Sequence, residues 1–246
     1  SSDLLTGVVS PSDAGGVVWA DATRVLIHGL GGTILRSADA GLTWTNVSLG
    51  SITDSYADMA FNAAGIGIAV GPAREIARSS DFGATWVSVA TTMDDKGAAI
   101  AFVDADTVSV LGESAQHMSS VDGGLTWTVG YVSAGFNRYR MRFANATTGL
   151  AVGAVGGRVL RTGDAGMSWS AIAGGSSDEN VDGLAASPSG SVVLAGDLNG
   201  RMLRSITAGA TWDDTGVNAR GPSFSSEQVA IAVNSSQIVR TADAGQ

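Results

Sequence analysis

The stretch "RSADAGLTW" at residues 36–44 decides how this chain is read, because it returns as "RSSDFGATW" at 78–86 and "RTGDAGMSW" at 161–169. A motif needed once points to a site, whereas one needed repeatedly points to a building rule. Aligned on its glycine, the motif recurs at Gly41, Gly83, Gly124, Gly166, Gly209 and Gly245, with spacings of 42, 41, 42, 43 and 36 residues. The shared form is [Ser/Thr]-x-Asp-x-Gly-x-[Thr/Ser]-Trp. Its acidic and aromatic positions are Asp39/Trp44, Asp81/Trp86, Asp122/Trp127 and Asp164/Trp169, then Trp212 with Thr207 in place of Asp, and finally Asp243. Asp and Ser side chains accept hydrogen bonds from turn amides, glycine supplies a positive φ, and Trp offers a large apolar surface for the contact between blades. These residues are therefore read as structural.

The similarity extends upstream of the turn. Ten residues before a recurrent glycine (Gly29, Gly71, Gly112, Gly153, Gly196, with Asn234 last) stand Trp19, Phe61, Phe102, Phe143, Ala186 and Phe224. Two residues earlier come Val17, Met59, Ile100, Met141, Leu184 and Pro222. Each unit reads as an alternating strand, a second such as "GLAVG", a third such as "RVLRT", the Asp-Gly turn, and a fourth opening on Thr-Trp. Four short antiparallel strands per unit of this length are the mark of a propeller blade. The expected fold is an all-β, six-bladed propeller in one domain, with repeats at about 15–50, 55–91, 97–132, 138–173, 181–216 and 222–246. The last repeat has three strands of its own, and "DLLTGVV" at 3–9 belongs to no blade. Because an open array exposes a strand edge, this segment is expected to complete the last blade and close the ring.

Composition narrows function. With no cysteine, neither disulfides nor thiolate metal sites exist, and only His28 and His117 offer imidazole. No metal and no cofactor is expected. A net charge of −9 and a single lysine, Lys96, disfavour nucleic acid as a partner. No apolar run is long enough to span a bilayer, so membrane insertion is not expected either. The chain opens on Ser1 rather than methionine, and an extracytoplasmic setting (periplasmic, secreted or virion surface) is the favoured expectation.

The recurrent turns resemble the Asp-box, or bacterial neuraminidase repeat. The fuller unit "MRFANATTGLAVGAVGGRVLRTGDAGMSW" at 141–169 is similar to the photosystem II assembly-factor propellers and their bacterial relatives. That resemblance implies a non-enzymatic scaffold that binds another protein. It also implies that the Asp-box turns lie away from the binding face, and that ligands meet the loops between second and third strands and between blades.

Within those loops "FNRYRMRF" at 136–143 stands out, since Arg138, Arg140 and Arg142 alternate on one face of an expected strand where the second repeat has Tyr56, Asp58 and Ala60. Two readings stand. With Arg74, Arg158 and Arg201 these arginines form a basic mouth for carboxylates, or they pair with Asp58, Glu75, Asp182 or Asp197 across blade boundaries. A second set, Arg36, Arg78, Arg161, Arg204 and Arg240, precedes every box but the third, where Ser119 stands; it is expected to lie against an aromatic ring or a carboxylate.

Two other functions compete with the scaffold. A sialidase would draw its arginines from Arg74, Arg138 and Arg201, its nucleophile from Tyr56 or Tyr139, and a partner from Glu75 or Glu113. Yet the Arg-Ile-Pro element of that family is absent and the chain holds only four Glu. A glycan-binding propeller would need an exposed aromatic repeated in each blade, whereas the recurrent aromatics here hold core positions. A protein partner is the leading expectation, a glycan the alternative.

Overall fold

The computed structural model describes residues 14–132, 139–153, 159–172, 181–197, 199–234, 237–243 and 245. The closing segment 3–9, Arg138 and Arg158 lie outside the described residues, as do the side chains of Tyr139 and Asp182. Apart from one 3-10 turn at Leu30–Gly32, the regular structure is all strand.

Six antiparallel sheets follow one another along the chain. The first holds β1 (Ala14–Trp19), β2 (Val25–Gly29), β3 (Ile34–Ser37) and β4 (Thr45–Asn46). The second holds β5 (Asp58–Phe61), β6 (Gly67–Val70), β7 (Glu75–Ser79) and β8 (Val87–Ala90), and the third β9 (Gly97–Phe102), β10 (Val108–Gly112), β11 (Gln116–Ser120) and β12 (Thr128–Tyr131). The fourth comprises β13 (Tyr139–Phe143), β14 (Gly149–Gly153), β15 (Val159–Thr162) and β16 (Ser170–Ile172). The fifth comprises β17 (Val181–Ala186), β18 (Val193–Asp197), β19 (Arg201–Ser205) and β20 (Asp213–Asn218). Among the described residues the sixth has three strands, β21 (Arg220–Phe224), β22 (Ala230–Val233) and β23 (Ile238–Thr241). Strand order within each sheet is sequential, as short hairpin connections require.

The chain forms two compact units. One runs to Gly112 and adds Met118–Val129; the other holds Glu113–His117 and everything from Gly130 onward. In the first unit Leu26 and Ile34 of the first sheet pack on Met59, Ala69 and Ala77 of the second. Ile68, Val70 and Ile76 of the second pack in turn on Ile100, Val108, Val110 and Met118 of the third. In the second unit Leu150, Val152 and Val159 meet Val181, Leu184, Val193 and Leu203, while Leu194 and Met202 meet Ala230 and Ala232. Each core thus lies between consecutive sheets. The small, branched residues of the second strands β6, β10, β14 and β18 are buried on both faces, whereas Ile231 and Val233 of β22 are exposed.

The box turn is built the same way each time. Ser37 Oγ donates to Asp39 Oδ1 at 2.7 Å and accepts from the Gly41 amide at 2.8 Å. Asp39 in turn accepts from the Thr43 amide at 2.8 Å and from Thr43 Oγ1 at 2.6 Å. The same bonds recur around Asp81, Asp122 and Asp164. In the fifth box Thr207 Oγ1 replaces the carboxylate, meeting Thr211 Oγ1 at 2.9 Å and accepting from the Thr211 amide at 2.8 Å. Two consecutive residues take left-handed backbone, the box glycine and the residue before it: Ala40 (φ 57°), Phe82 (φ 57°), Gly123 (φ 67°), Ala165 (φ 61°) and Ala208 (φ 49°).

The box tryptophans correct the sequence reading in one respect. Trp44, Trp86, Trp127, Trp169 and Trp212 each stand just before the fourth strand of their sheet, in the turn, and do not open that strand. The side chains of Thr43, Thr85, Thr126 and Ser168 are held back by the box carboxylate, which keeps the residue before each of the first four tryptophans in the turn. As expected, box tryptophans pack between sheets, Trp86 against the first, Trp127 against the second and Trp212 against the fourth. Within its own repeat, Trp169 lies edge-on to Phe143 of β13, with centroids 6.0 Å apart and planes at 71°. Trp86 meets Phe61 of β5 in the same way, at 6.0 Å and 74°. The physical reason is that the first strand places its terminal Phe beside the turn, where an edge-to-face pair satisfies the ring quadrupoles. Both indoles are buried, Trp169 at 5% exposure and Trp86 at 6%, so neither is presented to a ligand.

Candidate functional site

Three of the arginines that precede a box hydrogen-bond to main chain rather than to a carboxylate. Arg36 Nε donates to the Phe82 carbonyl at 2.9 Å, Arg78 Nε to Gly123 O at 2.7 Å, and Arg161 Nε to Ala208 O at 3.2 Å. The acceptor in each is thus the main-chain carbonyl at the left-handed corner of the next box, not an aromatic ring or a carboxylate. The cation over a ring is Arg24, 4.1 Å above Phe82.

The non-repeated arginines separate by unit. Arg74 lies in the first unit, between β6 and β7, with its side chain 73% exposed and ion-paired to Asp94. Its backbone is left-handed (φ 64°) and clasped from both sides: its amide donates to Met93 O at 2.8 Å, and its carbonyl accepts from the Thr91 amide at 2.8 Å. Only the carbonyl half of this clasp recurs: Gly200 (φ 89°) accepts from the Ala219 amide at 2.7 Å while its own amide donates to Asp197 O at 3.1 Å, and Ala115 accepts from the Val132 amide at 2.8 Å. In the first repeat Gly32 (φ 69°) stands three residues past the recurrent glycine, as Arg74 does in the second. A non-glycine residue in this conformation costs roughly 1–2 kcal/mol. Arg74 therefore carries a side chain on left-handed backbone where the first repeat has glycine, while the third repeat has Ala115 there without a positive φ.

Around it, Lys96 Nζ lies 3.8 Å from Asp54 Oδ2, and Ser88 Oγ donates to Glu75. Tyr56, at the end of the loop joining the first two sheets, is 2% exposed; its hydroxyl has no partner among the described residues. Burial first, and the Glu75 charge second, push its ionisation well above the ordinary phenol range.

In the second unit Arg140 and Arg142 are exposed on one face of β13, with Met141 buried between them. Arg142 Nη1 donates to Met141 O at 3.0 Å. Arg201 Nε meets Asp214 Oδ2 at 2.7 Å on the neighbouring strand. Of the carboxylates offered as partners, Asp58 accepts from the Ile100 amide at 3.0 Å, and buried Asp197 accepts from the Asn199 and Arg201 amides at 3.0 and 2.8 Å. Of the observed ion partners, Asp214 stands on the strand beside Arg201 and Asp94 in the loop between the second and third sheets. Sequence reasoning missed the strain at Arg74, although the alignment with Gly32 carried the signal.

Both histidines are buried. His28 Nδ1 lies 3.3 Å from Tyr56 O, and His117 Nδ1 has no partner among the described residues. Burial lowers the basicity of both. Among the described residues no group of three or more His, Asp or Glu could hold a metal ion.

No family model matches the chain, and no curated protein matches it either. Solved structures do. An ancestral GH74 enzyme superposes with a TM-score of 0.74 at 17% identity, over 93% of this chain and 36% of the enzyme. The chain therefore spans about a third of that enzyme's length. YCF48 bound to D1 peptide gives a TM-score of 0.69 at 15% identity, covering 94% of this chain and 79% of that one. The WD40 repeats of RRP9 give 0.66 at 14%, covering 87% and 70%. With the sequential four-stranded sheets, these likenesses establish the fold as a β-propeller.

Proposed function

We propose that this propeller is a non-enzymatic scaffold that binds another protein through the loops around Arg74. The observation that carries the reading is Arg74 itself, an exposed guanidinium held on left-handed backbone where the first repeat has Gly32. Strain of this kind is retained where a side chain is needed. The partner offers Arg74 a carboxylate in exchange for Asp94, an exposed pair that is cheap to open. A neighbour whose structure holds a bound peptide supports a polypeptide partner.

The burial of Tyr56 argues against its use as a sialidase-type nucleophile. A phenol acting as nucleophile needs exposure and a lowered pKa, and Tyr56 has neither. The reading includes a six-bladed ring in which residues 3–9 add the fourth strand to the sixth sheet, a proposal supported by that sheet's three strands.

The test is capture of partners by the wild-type chain and by Arg74→Gly, beside Arg140→Ala/Arg142→Ala and a fluorogenic sialoside assay. Loss of the partner with Arg74→Gly supports the scaffold reading. Sialoside turnover contradicts it.

A further inference from the structure

In the first four sheets the hairpin between first and second strands opens on a side chain that folds back over the turn. Asp21 Oδ1 accepts from the amides of Thr23 and Arg24 at 2.8 and 2.7 Å, and Asp104 Oδ1 from those of Asp106 and Thr107 at 2.9 and 2.7 Å. Asn62 Oδ1 serves Ala64 and Ile66 in the same way, and Asn145 Oδ1 serves Thr147 and Thr148 at 3.0 and 2.8 Å. The turn therefore needs one oxygen acceptor, and a carboxylate meets that need as well as an amide. Each hairpin is also tied to its box corner: the carbonyls of Thr23, Gly65, Asp106 and Thr147 accept from the amides of Ala40, Phe82, Gly123 and Ala165.

The two asparagines differ in what their amide nitrogen does. Asn62 is buried, and its Nδ2 donates to Ala105 O at 2.6 Å. Asn145 is exposed, as are Ala146 and Thr147, and among the described residues its Nδ2 makes no hydrogen bond. Thr147 Oγ1, two residues on, donates to Asn145 Oδ1 at 3.1 Å. Asn145-Ala146-Thr147 thus has the Asn-x-Thr form to which glycans are transferred, presented on a surface turn.

Two further Asn-x-Ser triplets are placed differently. Asn46 of Asn46-Val47-Ser48 lies in β4, and Ser48 Oγ accepts from the Ile34 amide at 2.8 Å, which knits that triplet into the first sheet. Asn234 Nδ2 donates to Asn218 O at 3.3 Å, and the Ser235 and Ser236 of its triplet lie outside the described residues.

We infer that Asn145 is the acceptor of an N-linked glycan, supplied by a lipid-pyrophosphate-linked oligosaccharide in an extracytoplasmic compartment that holds an oligosaccharyltransferase. In the transfer Nδ2 bonds to the anomeric carbon of the sugar, and the bond from that carbon to the pyrophosphate oxygen breaks. Nδ2 gives up one proton and the lipid pyrophosphate leaves. The amide oxygen is untouched, so the turn keeps its acceptor with the glycan in place. The sugar stands at the box-turn end of the fourth sheet, opposite its loop between second and third strands. The inference is independent of Arg74 and of the scaffold reading.

The test incubates the folded full chain with a single-subunit oligosaccharyltransferase and a lipid-pyrophosphate-linked oligosaccharide that begins with N-acetylglucosamine, then maps the product by peptide mass. The expected result is a glycan on Asn145, abolished by Asn145→Asp, reduced at least tenfold by Thr147→Ala and retained by Thr147→Ser. Asn145→Asp keeps the turn acceptor, as Asp21 and Asp104 do, so an unchanged denaturant midpoint separates loss of the acceptor from loss of the fold. No glycan on Asn145, transfer to Asn46 in its place, transfer only to the unfolded chain, or undiminished transfer to Thr147→Ala overturns the inference.

Discussion

Arg78 and Gly123 lie 45 residues apart in sequence and are joined by a 2.7 Å hydrogen bond from the guanidinium Nε to the glycine carbonyl. The bond ties the third strand of one sheet to the box turn of the next, and Arg36 and Arg161 repeat it. It satisfies a carbonyl at a corner where two left-handed residues interrupt the backbone ladder.

Removing it leaves that carbonyl without its charged donor. Arg78→Ala is expected to cost about 1.5–3 kcal/mol in urea unfolding. Arg78→Lys recovers only part of this, because an ammonium on a flexible stem does not reproduce the fixed Nε–H direction.

Gly124→Ala is the sharper backbone test. The residue has φ 82°, and its Cβ would lie 2.4 Å from Ile68 Cδ1. Strain and overpacking together are expected to cost about 2 kcal/mol or more. Ala40→Gly at the preceding box position should change stability by less than about 1 kcal/mol, as relief of strain and loss of chain stiffness oppose one another.

Acid unfolding should show two arms. Asp39 and Asp122 titrate near about 2, held down first by the hydroxyls of Thr43 and Thr126, then by the amides of the same residues. At Asp81 and Asp164 burial pulls upward and the box hydrogen bonds outweigh it. Their folded values lie below the unfolded carboxylate value, so this stability is present above about pH 4 and is lost as pH falls toward 2. His28 and His117 are neutral when buried, and their folded values also lie below the unfolded ones. Their contribution is therefore complete above about pH 6.5 and falls as the solution is acidified below it. Denaturant midpoints against pH should lose the lower arm in part with Asp122→Asn and the upper arm in part with His117→Leu.

The frame was legible because its rules are local. The Ser, Asp, Gly and Thr of each box find their partners within five residues, so spacing alone exposes the turn and the strands beside it. The arginine acceptors were not legible, since main-chain carbonyls carry no sequence signature and lie in another repeat. The pairing of Trp169 with Phe143 was not read in advance, because spacing shows that two aromatics recur together and not that they touch. Nor was the fifth box's repair obvious: Thr207 keeps the turn through its hydroxyl, a substitution that reads as a loss when only the carboxylate is counted. The ion partners were misjudged for a related reason. Asp197 looked available to Arg201 but is consumed by the amides of its own turn, so Arg201 pairs with Asp214 on the adjacent strand, and Arg74 with Asp94 in the following loop.

The scaffold reading is tested most directly by Arg74→Gly, because the substitution separates fold from function. Removing an exposed ion pair and relieving left-handed strain should leave stability within about 1 kcal/mol of wild type. Partner capture, measured quantitatively from the same preparation, should fall at least tenfold. Undiminished capture by a folded Arg74→Gly chain would contradict the assignment of the binding face to the loops around Arg74.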